Sequence, residues 1–95
     1  VDKFALRDLF NRHQFYAQVQ SGVLIAKVKK DRHPSLPLAK EPFCTRSQLV
    51  YYYNQDGDQV AIVHQYLRTD GTLGLSGKPD PKKLRVDDVI YILVE

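Results

Sequence analysis

Two Asp-Gly pairs, Asp56-Gly57 and Asp70-Gly71, interrupt runs rich in tyrosine, valine, isoleucine and leucine. This dipeptide best suits a two-residue hairpin turn, in which both central residues need positive φ. A chain with two such turns commits its centre to antiparallel sheet. If Asp56-Gly57 is the whole first loop, residues 49 to 54 pair with 60 to 68, setting Tyr53 opposite Val60, Tyr51 opposite Ile62 and Leu49 opposite His64. These six then share one face. The same spacing about Asp70-Gly71 places Arg68 opposite Leu73 and Tyr66 opposite Leu75, so the three strands form a meander.

The pattern before the hairpins is helical. Asp2 can cap a helix over residues 2 to about 13, whose Leu6, Leu9, Phe10 and His13 recur at intervals of three and four. The stripe extends through Ala17 toward Gln20, and Ser21-Gly22 ends it. Residues 23 to 30 alternate Ala26 and Val28 with Lys27 and Lys29, which predicts an edge strand protected by its lysines. Pro34, Pro37 and Pro42 make residues 31 to 47 a long loop, read either as a binding element or as a linker. Residues 76 to 81, with Gly77, Pro79 and Pro81, predict a tight turn, and 82 to 85 lead onward. Val89 to Val94 is apolar on both faces and is expected inside the sheet.

The expected fold is α+β: an N-terminal helix packed on a small, four- to five-stranded, mainly antiparallel sheet. With no composition break across residues 1–95, one compact domain is expected, and a start at Val1 with no methionine suggests excision from a longer chain. An apolar fraction of 43% can supply a core. The run Val89–Val94 falls far short of the roughly 20 residues of a membrane helix. A lone cysteine, Cys44, cannot form an internal disulfide, which favours a reducing, cytoplasmic setting.

Formal charge is +3, and it is uneven. Lys27, Lys29, Lys30, Arg32, Lys40 and Arg46 face only Asp31 and Glu41 in the same stretch, six against two. With His33 and the tyrosines at 51 to 53, this group suits phosphate backbones and stacked bases; the plainer reading is a solvated edge. His64, Tyr66 and Arg68 alternate along one predicted strand, about 7 Å apart on one face. A base or acid, a hydroxyl donor and a phosphate clamp in that order would suit metal-independent cleavage of RNA, with Lys78 as a second phosphate contact. Alternatively His64 and Tyr66 belong to an apolar face with Tyr51, Ile62 and Leu75, and Arg68 lies at its rim.

Other chemistry finds little support. The stretch Gly71 to Lys78 lacks the glycine spacing and the following Ser or Thr of a nucleotide-binding loop, because Thr72 and Pro79 stand there. His13, His33, His64 and Cys44 show no metal-ligand spacing, and no cofactor is implied. The sequence therefore points to a domain that binds RNA or another polyanion, extending to ribonuclease activity if His64, Tyr66 and Arg68 act together. The alternative is a non-catalytic module that meets a protein partner through residues 31–47 and exposed tyrosines.

Overall fold

The computed structural model describes residues 1–32 and 41–94. Helices α1 (Lys3–Arg12) and α2 (Phe15–Gln20) precede strands β1 (Ile25–Arg32), β2 (Arg46–Tyr53), β3 (Gln59–Leu67), β4 (Asp80–Val86) and β5 (Val89–Ile92). All five strands form one sheet in the order β1-β2-β3-β4-β5, each antiparallel to the next. The α+β architecture read from the sequence is the one observed.

Asp2 caps α1, its carboxylate accepting from the Ala5 N–H at 2.8 Å. The helical stripe does not run on unbroken. Gln14 adopts φ 54°, a left-handed conformation, and so splits the stripe into α1 and α2. The bend brings Phe15 flat against Phe10, with ring centroids 5.8 Å apart. Leu6, Phe10 and Phe15 then cover Val50 and Tyr52 of β2, Ala61 and Val63 of β3 and Leu84 of β4, all buried. Each of these large side chains contributes roughly 1.5–3 kcal/mol by leaving water. None of the helices in the described residues is long and apolar enough to cross a membrane.

Both Asp-Gly pairs do turn the chain, but as three-residue loops. Gly57 N–H donates to the Asn54 carbonyl at 3.1 Å and Asn54 N–H to the Asp58 carbonyl at 2.9 Å; Gly71 with Arg68, and Arg68 with Thr72, repeat this at 2.9 Å. Only the glycines have positive φ, +83° and +87°, whereas a two-residue turn would need it at Asp56 and Asp70 as well. Tyr53 accordingly meets Gln59 instead of Val60, and a bulge beside Tyr52 restores the expected register at Tyr51–Ile62 and Leu49–His64.

Three further expectations need correction. After Asp70-Gly71 the chain makes a single bridge, Leu67 to Leu73, and no third strand through Leu75; the partner of β3 is β4, which begins inside the predicted turn at Asp80 and carries Pro81 at an irregularity. Both ends of the loop predicted over 31–47 belong to strands, because β1 runs to Arg32 and β2 starts at Arg46. Its prolines 34 and 37 lie outside the described residues. Finally, β5 is an edge strand, not an interior one, with Val89, Ile90 and Ile92 about half exposed. A two-residue turn at Asp87-Asp88, both with positive φ, joins it to β4.

Candidate nucleic-acid interface

Among the described residues the helices cover one face of the sheet and leave the other open. Along β2, Gln48, Val50 and Tyr52 are buried while Ser47, Leu49, Tyr51 and Tyr53 are only partly so. Along β3, Ala61 and Val63 are buried, and Ile62, His64 and Tyr66 face the opposite way with partial exposure. His64 and Tyr66 thus lie on the side away from the helices.

A bulge in β1 decides what this open face carries. Lys27 pairs with Tyr51 and Val28 with Val50, but Lys30, not Lys29, pairs with Leu49, and Arg32 follows opposite Ser47. Simple alternation would send Lys30 and Arg32 to the face opposite Lys27 and Lys29. The extra residue at Lys29 changes the parity. Lys27, Lys29, Lys30 and Arg32 therefore all stand on the open side, while Asp31 turns to the other and accepts from Gln48 and Arg46. Lys29 Nζ lies 5.5 Å from the Tyr51 ring centre and 5.9 Å from that of Tyr53; Lys27 Nζ lies 5.3 Å from Tyr53. The cations sit over the faces of two aromatic rings.

Charge continues across the sheet. Lys83 is in register with Ile62 and Ile92, and Arg85 with Ile90, both on the open face. The sequence marks these two only through the short alternation Lys83, Leu84, Arg85, Val86, which follows Pro79 and Pro81 too closely to predict a strand. Among the described strand residues the one carboxylate in register with this face is Asp80, opposite His64 at the end of β4. Arg7 and Lys82 hold it at 3.0 and 3.3 Å. Burial pushes its carboxyl up, but these partners win and keep it below the usual carboxylate range.

Of the three residues proposed for RNA cleavage, two come together. The His64 and Tyr66 rings meet edge to face with centroids 4.7 Å apart, and His64 Nε2 is 2.7 Å from Ser47 Oγ. Burial, helped by Lys82 and opposed by Asp80, shifts His64 below the ordinary histidine value. The tautomer sets the direction of this bond: the ring nitrogen accepts from the serine O–H, or its N–H donates to the serine oxygen. Arg68 lies just past the end of β3, and its Nε donates to Glu41 Oε2 at 2.9 Å. The other Glu41 oxygen accepts from Leu75 N–H at 2.7 Å. Hydrogen bonding from Arg68 keeps the Glu41 carboxyl low, although its shielding from water opposes this. Gly74 packs directly against that carboxylate, where a Cβ would overlap it. Arg68 is thereby committed to an ion pair.

The remaining predicted contacts divide. Arg46 lies on the helix-bearing side with Asp31. Lys78 sits in the loop before β4, lining a cleft at the end of the sheet. Lys40 and His33 lie outside the described residues. Among those described, no three His, Cys, Asp or Glu side chains converge as metal ligands would. Comparison with protein-family models, curated proteins and solved structures gives no match.

Proposed function

We propose that this domain binds single-stranded nucleic acid on the helix-free face of its sheet. The observation that carries the reading is the β1 bulge, which gathers Lys27, Lys29, Lys30 and Arg32 on one face, with Lys27 and Lys29 over Tyr51 and Tyr53. Phosphates displace the lysines from the rings, and bases stack where the cations were. Two tyrosines about 7 Å apart on one strand offer sequence-tolerant stacking, since every base has a π-face. Arg68, held by Glu41, is not available to a phosphate, so binding is favoured over cleavage.

Fluorescence anisotropy of a labelled single-stranded oligonucleotide, titrated at several salt concentrations, tests this. Affinity that falls steeply with salt is expected, with no cleavage product on a gel run from the same samples. A second reading draws on Phe43, 84% exposed in the short segment that leads into β2. Such a ring suits an apolar anchor for a protein partner. Absence of oligonucleotide binding even at low salt would leave that reading in place of the first.

A further inference from the structure

At one end of the open face the sheet does not close. β4 reaches along β3 only as far as the His64–Asp80 pair. Beyond it, the Tyr66 carbonyl accepts from Gly74 N–H at 2.8 Å and Leu67 bridges to Leu73. Between this short connection and α1 opens a cleft of about 660 Å³. That volume falls within the roughly 300–1,000 Å³ of small-molecule sites. His64 and Tyr66 belong both to the open face and to the cleft wall, so the two surfaces are continuous. Arg7 and Asn11 line the cleft from α1, and it therefore leads out of the plane of the face.

Its charge is specific. Among the described residues Arg7, Lys78 and Lys82 line it against one carboxylate, Asp80, a net +2 from three cations and one anion. Arg7 and Lys82 share Asp80, whereas Lys78 has no ion-pair partner among the described residues. A phosphomonoester carries about −1.5 to −2 at neutral pH, while a phosphodiester within a strand carries one charge. Tyr66 supplies a ring, and the amides of Asn11 and Gln65 supply donors and acceptors for a base edge.

We propose that the cleft takes the terminal nucleotide of a strand laid on the open face, with its terminal phosphomonoester held by Lys78. This rests on the single-strand reading above and adds a preference for phosphorylated ends. One short labelled oligonucleotide, prepared with hydroxyl ends, with a 5′-phosphate or with a 3′-phosphate, separates the possibilities by anisotropy. One phosphorylated form should bind about tenfold tighter than the hydroxyl-ended form, as a charge-assisted contact would give. Lys78→Gln should bring that ratio close to one; Arg12→Gln, on the exposed side of α1, should leave it unchanged. Equal affinity for all three oligonucleotides, or a preference that survives Lys78→Gln, would overturn the proposal. If none of the three binds, the open-face reading has failed, and a nucleoside monophosphate titrated into labelled protein decides the cleft alone. Shifts in the Asn11 and Gln65 amide resonances would then uphold it, and their absence would sink it.

Discussion

Exchange of Lys30 and Arg32 for glutamine tests the bulge most directly, because the bulge puts those two cations on the open face. If Lys27, Lys29, Lys30 and Arg32 each neutralise one phosphate, log K should fall with log salt at a slope of about −0.7 × 4, or −2.8, for a single strand. Between about 50 and 200 mM salt, that is a loss of about 50-fold. Lys30→Gln/Arg32→Gln removes half the contacts, so the slope should drop to about −1.4 and the loss to about 7-fold. The control is Arg12→Gln/Arg46→Gln. It changes net charge equally but removes an α1 residue paired with Asp8 and a β2 residue paired with Asp31, neither on the open face. Anisotropy titrations of the three proteins over the same salt series provide the slopes. Should both double variants flatten the dependence equally, only net charge matters and the argument from the bulge fails.

Three other outcomes are expected. Tyr51→Ala and Tyr53→Ala should each weaken oligonucleotide binding by about 1–3 kcal/mol through lost stacking, without changing the salt slope; a changed slope would mean that the rings act only by placing the lysines. Gly74→Ala should lower stability by about 1–3 kcal/mol in urea denaturation, because the new Cβ meets the Glu41 carboxylate, and this loss should shrink in a Glu41→Ala background. Equal losses in both backgrounds would show that the collision lies elsewhere. His64, shifted down by burial and by Lys82, should destabilise the fold on acidification: below about pH 6.5 the unfolded chain takes up a proton that the native imidazole refuses. The stability difference between the parent and His64→Gln should therefore fall from neutral pH to about pH 5, and a difference independent of pH would contradict the burial argument.

The helix cap at Asp2, the turns at Asp56-Gly57 and Asp70-Gly71 and the lysine-protected edge were legible because each depends on residues close in sequence. What escaped was set by partners far along the chain. Alternation assigns Lys29 and Lys30 to opposite faces, and nothing near them signals a bulge; it arises where β1 meets β2. The apolar run from Val89 looked interior by composition, yet the last strand of a consecutive meander must lie at the edge. Asp87-Asp88, just before it, is the local signal of the turn that leads to this edge. Of the candidate site, His64 and Tyr66 were paired correctly by period two. Arg68 was not, because its engagement depends on Glu41, which the sequence separates from it by the whole of β2 and β3.

Strand β1 is exposed along its entire length, on both faces. Apart from Asp31, which accepts from the buried Gln48, its side chains answer to no core neighbour, and surface substitutions of that kind usually shift stability by no more than about 0.5 kcal/mol. Leu6, Val63 and Leu84 hold the fold while β1 is free to vary. Under selection, the β1 residues proposed to meet the ligand can thus change with little harm to folding, so a new binding preference can arise there without a compensating change in the core.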